Sequence, residues 1–243
     1  MKFKGLFFGA FATVFTLTSC EEDTWYCTEG NGYKTDKYIT PTPFTDIDID
    51  VRADTYIRQG SYYEVRIVAS ENIIGSIRTD VRGGELEVFH SDGCVSEKDG
   101  RIKIYITSPT YEKITVNSSG TLENESFLDL NDLTINVNSS CDIELDNVAL
   151  DDYEININGS GDCTLQGPTA DQGEIYINGS GDVTTKNLLT NSLNTLLRGS
   201  GDAEVNVYSH IDATLSGSGN LIYYGNPRVN SSITGSGSII QRN

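Results

Sequence analysis

Apolar and polar side chains alternate along most of the chain with a period of two. Between residues 155 and 165, Ile155, Ile157, Gly159, Gly161, Cys163 and Leu165 hold one phase; Asn156, Asn158, Ser160, Asp162 and Thr164 hold the other. The same phase returns as Ile175, Ile177, Gly179, Gly181 and Val183, and as Ala213, Leu215, Gly217, Gly219, Leu221 and Tyr223. A two-residue period belongs to extended chain with one face buried, because successive side chains of a strand point to opposite sides. The alternation runs through the glycines without a break, which puts them on the buried side. Two tiny inward residues between large ones mark a bend or a narrow waist, where glycine permits a positive φ or a bulge. No stretch carries a strong helical period.

The glycine segments repeat. Asn158-Gly159-Ser160-Gly161-Asp162 has counterparts around Ser140, Ser180, Ser200, Ser218 and Ser236, and a weaker copy around Ser119. The central serines are spaced 21, 20, 20, 20, 18 and 18 residues apart. A unit of this length suits one turn of a solenoid with two or three short strands, stacked on its neighbours about 4.8 Å apart. The expected fold is therefore all-β, a right-handed parallel β-helix with turns of about 20 residues. Residues 116–243 supply the repeats. Residues 44–115 lack the glycine motif but alternate as well, for example at Ile47, Ile49 and Val51 and at Ile102, Ile104 and Ile106, with Gly83-Gly84 as a hairpin signal. They read as a β capping region at the N-terminal end of one domain spanning 44–243.

The beginning of the chain obeys another logic. Lys2 and Lys4 precede an uncharged apolar stretch from Gly5 to Leu17, too short for a membrane-spanning helix, which needs roughly 20 apolar residues. It ends in Leu17-Thr18-Ser19-Cys20, the pattern of a lipoprotein signal. Residues 1–19 are expected to be removed, and Cys20 to carry lipid and anchor the protein to the membrane, each buried methylene contributing about 0.8 kcal/mol. Glu21-Glu22-Asp23 resembles the signal that sends Bacteroidetes lipoproteins to the cell surface; retention on the periplasmic face of the outer membrane is the alternative. Polar residues up to Pro41-Thr42-Pro43 make 20–43 a lipidated tether in this reading. Losing the leader with its two lysines leaves 15 basic against 35 acidic side chains, a net charge of −20. Such a surface repels phosphate backbones and excludes nucleic acid as a partner. Of the remaining cysteines, Cys27 and Cys94 lie in polar loops and can pair in an oxidising compartment, whereas Cys141 and Cys163 fall in the inward phase and are expected to remain thiols.

The opening Phe44-Thr45-Asp46-Ile47, the strand Gly84-Glu85-Leu86-Glu87-Val88, the Gly-Ser-Gly-Asp series and the ending Tyr223-Tyr224-Gly225-Asn226-Pro227 resemble the bacterial family named putative auto-transporter adhesin, head GIN domain. The resemblance covers roughly residues 44–240. It implies a β-helix-like fold and residence in the envelope, and it brings no catalytic or ligand residues with it.

Candidate chemistry is sparse. Asp142, Asp162, Asp182 and Asp202 form a column that invites a Ca²⁺ reading, since carboxylates about 5 Å apart repel unless a cation sits between them. The motif lacks the second Gly-x-Asp of calcium-binding nonapeptides, so turn chemistry is the stronger reading and no metal or other cofactor is implied. His90, expected to end a strand, and His210, expected in a turn, are far apart in sequence, as are Arg198 and Arg228. No acid–base pair stands out, which leaves a polysaccharide-active enzyme as a minor alternative. Tyr208, Tyr223 and Tyr224 offer stacking or anchoring surface, with Tyr223 in the inward phase. The favoured function is a non-catalytic binding module for an envelope or host protein or glycan, with a purely structural envelope protein as runner-up.

Overall fold

The computed structural model describes residues 27–243 apart from 92, 94 and 99. Cys20 and the leader lie outside these residues. In the repeats the alternation becomes two long parallel ladders, with a short third one where Leu128–Asp129 pairs with Val148–Ala149, joined into a β-solenoid of about 6 turns. The first sheet stacks Lys113–Val116, Asp132–Val137, Asp152–Ile157 and their successors, so that Ile114, Ile135, Ile155 and Ile175 lie in one inward ladder, continued by Thr195 and Ala213. The second sheet stacks Leu122, Ile143, Cys163, Val183, Ala203, Leu221 and Ile239 in register. The strands Val183–Leu197 and Ala203–Leu215 run round the edge and serve both sheets. Between these two strands the register shifts at Thr185/Leu189 and Thr190/Ser192, where the repeat shortens from 20 to 18 residues. Both inward ladders are buried up to the half-buried Ile239 at the C-terminal end, and the described chain contains no α-helix, only a single 3-10 turn at Ile74–Ser76. No helix among the described residues is long and apolar enough to cross a membrane.

The N-terminal cap is threaded out of order. Asp46–Ile49 and Ala53–Gln59 form a turn with neighbours on both sides. Lys113–Val116 and Gly120–Asn124 lie on one side, and Glu85–His90 and Ile102–Ser108 on the other. The far side is closed by antiparallel strands. Ile77–Arg82 folds onto Glu85–His90 through the predicted hairpin, whose Gly83 and Gly84 have φ of 61° and 88°. Glu64–Ser70 pairs with Ile102–Ser108, and Lys34–Ile39 pairs with Glu64–Ser70. The chain then crosses back past Tyr111, fully buried, whose single hydroxyl proton is shared between the carbonyls of Arg58 and Ile106, each 2.9 Å away.

This corrects the expected tether over 20–43. Thr28–Glu29 pairs with Val95–Ser96, and Lys34–Ile39 is an edge strand of the cap, so a free linker cannot run to Pro43. Cys27 is disulfide-bonded; its expected partner Cys94 lies outside the described residues. A second clamp is ionic. The Glu97 side chain is shielded from solvent and receives Lys34 Nζ at 2.7 Å, the Ser70 amide at 2.7 Å and the Ser70 hydroxyl at 2.6 Å. Burial alone would raise its pKa, but the bonds from Lys34 and Ser70 outweigh it and hold the carboxyl below the ordinary glutamate value. A depressed folded-state pKa adds stability above the unfolded value, about 4.3, that is lost as pH falls through the folded value. Acid should therefore loosen residues 34–39. Amide hydrogen exchange there should accelerate at acidic pH, and Glu97→Gln should show the fast rate already at pH 7. If the variant retained the wild-type acid dependence, another carboxylate would govern the clamp.

Candidate binding surface

The Gly-Ser-Gly-Asp segments form a corner where the second sheet begins. Asn158 and Gly159 both donate their amides to the Val137 carbonyl, at 2.8 and 3.2 Å, and Ser160 and Gly161 both donate to Ser139, at 2.9 and 3.0 Å. The chain advances while the acceptor stays, and the corner aims the Cα substituent of each glycine at a carbonyl of the preceding turn. A Cβ on Gly181 would lie 2.0 Å from the Gly161 carbonyl oxygen, and one on Gly179 1.8 Å from that of Gly159. Close approach of backbones, more than a special φ, thus selects glycine: within the series only Gly120 has a positive φ, 152°. The amide that follows the second glycine turns to a side chain of the turn before it. Asp162 N–H donates to Asp142 Oδ1 at 3.1 Å, Asp182 to Asp162 at 2.8 Å, Asp202 to Asp182 at 2.7 Å, and Asn220 to Asp202 at 2.6 Å. Asn220 Oδ1 continues the series to Ser238 N–H at 3.0 Å, as only an acceptor oxygen is required.

A second column runs beside the first. Asn117 donates its side-chain amide to Asp48, Asn138 to Asn117, Asn158 to Asn138 and Asn178 to Asn158, at 2.7–3.0 Å. Both polar columns are thus spent on joining turns. Among the described residues no group of three or more His, Cys, Asp or Glu side chains is placed to hold a metal ion.

The other residues singled out in the sequence stay apart. His90 ends its strand and keeps Nδ1 buried with no hydrogen-bond partner among the described residues; burial lowers its pKa. His210, expected in a turn, lies inside Ala203–Leu215, because this strand continues round the edge of the solenoid, and its Nε2 sits 2.9 Å from Asp212. Tyr223 packs against the core, Tyr224 donates to Glu204 at 2.8 Å, and Tyr208 is exposed. Cys141 and Cys163 are free and buried, and burial pushes both thiols up to about 12, far from reactive thiolates.

The densest aromatic surface is one that the sequence reading passed over. On the outer face of the cap, Tyr38 pairs across to Arg66, Arg66 to Tyr105, and Tyr105 to Tyr56. Tyr56 and Tyr105 stack with centroids 5.0 Å apart and planes at 18°. The Arg66 guanidinium lies 5.0 Å from the Tyr105 ring centre and 5.8 Å from that of Tyr38. Tyr62, 50% exposed, closes a cleft of about 330 Å³ lined also by Arg58, Glu64 and Glu125. The available signal was a tyrosine in the outward phase of an apolar strand: Tyr56 beside Ile57, and Tyr105 between Ile104 and Ile106.

Residues 43–227 match the family described as "Putative auto-transporter adhesin, head GIN domain". Among solved structures, a putative adhesin from Bacteroides fragilis is 24% identical, with a TM-score of 0.82, covering 88% of this chain and 99% of its own. A putative adhesin from Parabacteroides merdae is 21% identical, with a TM-score of 0.71 and coverage of 89% and 99%. A protein from Parabacteroides distasonis described as a putative lipid binding protein is 20% identical, with a TM-score of 0.68 and coverage of 90% and 100%. No curated protein matches the chain.

Proposed function

The chain belongs to the putative auto-transporter adhesin, head GIN domain family, and from that premise we propose that it is a lipid-anchored, non-catalytic adhesion module of the bacterial outer membrane, displayed on the cell surface. The observation that carries this reading is the use made of the repeated polar columns. Their Asp and Asn side chains stitch each turn to the next, so the repeats act as scaffold, and recognition falls to surfaces of the cap. Catalysis needs one constellation unlike its surroundings, and the repeats offer only a regular surface. The anchor in this reading is Cys20, and the linker between lipid and cap is short, since residues from 28 on belong to the fold. The description of one structural relative as lipid-binding favours an envelope setting too, although a lipid ligand differs from a lipid anchor.

Metabolic labelling with a fatty-acid analogue tests the anchor. Wild-type protein should be labelled and partition with membranes; Cys20→Ala should lose the label. Equal labelling of both would remove the anchor from the proposal. Protease treatment of intact cells should degrade the protein; protection until the outer membrane is opened would place it on the periplasmic face.

A further inference from the structure

The cleft on the cap has a hydrogen-bonding character that narrows its ligand. Arg58 spends Nη2 on Glu125 at 2.9 Å, and Arg66 spends Nε on Asp36 at 2.6 Å. A guanidinium carries five N–H donors, so most of each fork has no partner among the described residues. The hydroxyls of Tyr56, Tyr62 and Tyr105 make no hydrogen bond to described residues, and the Glu64 carboxylate has no ion pair there. Donors and an acceptor thus stand together beside tyrosine rings, at the lower end of the volume range of ligand sites, about 300–1,000 Å³. Arg58 and Arg66 in the lining stand against Glu64 and Glu125, and Asp36 on Arg66 is matched by Lys103 over the Tyr56 ring, which leaves the cleft neutral in a chain whose net charge is −18. A phosphorylated, sulfated or uronate ligand would meet the repulsion of the whole acidic molecule. Hydroxyl groups both give and accept hydrogen bonds, and a sugar ring offers C–H faces to aromatic rings.

We infer that this cleft binds a neutral glycan, with the Arg58 and Arg66 forks and Glu64 reading hydroxyls and Tyr62 supplying a stacking face. This inference rests on the adhesion reading and names its ligand class. Tyr62 is half exposed and Arg66 keeps its charge as lysine but loses the planar fork, so Tyr62→Ala and Arg66→Lys are chosen to spare the fold.

The probes are neutral hexose oligosaccharides (glucan, mannan and galactan), with uronate and sulfated oligosaccharides as controls, titrated against the purified full-length mature lipoprotein in detergent. At least one neutral series should bind, and each variant should weaken that binding by about tenfold, the equivalent of one lost contact, at an unchanged melting temperature. The inference is overturned if no neutral glycan binds, if the charged glycans bind in preference, or if both variants bind as the wild type does. Cell adhesion separates the two levels of the argument. If deleting the gene lowers adhesion to a glycan- and protein-coated surface while Tyr62→Ala does not, the cleft assignment fails and the adhesion reading stands. If deletion leaves adhesion unchanged, the adhesion reading itself fails.

Discussion

Replacing Gly181 by valine is expected to destabilise the domain by about 3 kcal/mol or more, at or beyond the upper end of ordinary overpacking. The added Cβ would fall 2.0 Å from the Gly161 carbonyl oxygen. That oxygen belongs to backbone held in the turn below, so it cannot swing aside as a flexible side chain would. For a chain of this size the loss corresponds to roughly 6–12 °C in melting temperature. The neighbouring Asp182 gives the contrast. Asp182→Asn keeps the Oδ1 acceptor for the Asp202 amide and should stay within about 0.5 kcal/mol of wild type. Asp182→Ala removes the acceptor and should cost about 1 kcal/mol. Thermal melts followed by circular dichroism rank the three; asparagine proving worse than valine would mean that the column holds charge for a purpose the corner does not explain.

Tyr111 should give the second large effect. It sits where the chain leaves the out-of-order cap and enters the solenoid, with its ring fully buried and its hydroxyl on two carbonyls. Tyr111→Phe keeps the ring but removes the proton that the Arg58 and Ile106 carbonyls share, a cost of about 1–3 kcal/mol. Tyr111→Ala adds a cavity and should cost about 3–5 kcal/mol, as for other large aromatics. Denaturant titration should show a lower midpoint with an unchanged slope. A two-step transition for Tyr111→Ala would instead mean that cap and solenoid unfold separately once this residue is gone.

The phase of the repeats was legible because a two-residue period is a local property: Ile155, Ile157 and Leu165 face inward wherever their neighbours lie. The reason for the glycines was not. A bend and a close approach between turns leave the same trace in one sequence, and only the carbonyl of the preceding turn distinguishes them. The strand Lys34–Ile39 was hidden for a related reason. Its alternating positions are Lys34, Asp36 and Tyr38 against Thr35, Lys37 and Ile39, polar on both faces, and its partner Glu64–Ser70 supplies what fixes it in place. The tyrosine cleft depends on registers between strands up to dozens of residues apart, Tyr38 with Arg66 and Tyr56 with Tyr105. Alternation shows that each of these side chains points outward, but not that they meet.

The carboxylate-to-amide bond gives the coil a polarity. Every turn accepts from its successor and donates to its predecessor through the same pair of atoms, so any turn of the series offers the same junction to the next. A duplicated 20-residue unit would meet matching partners above and below, much as a monomer joins a growing polymer, while the antiparallel strands of the cap terminate growth at the other end. Each added unit would lengthen the rod by about 4.8 Å without touching the cap. Length and recognition are therefore separable characters in this molecule, and the spacing of the motif is the mark that gene duplication can leave on one while selection acts on the other.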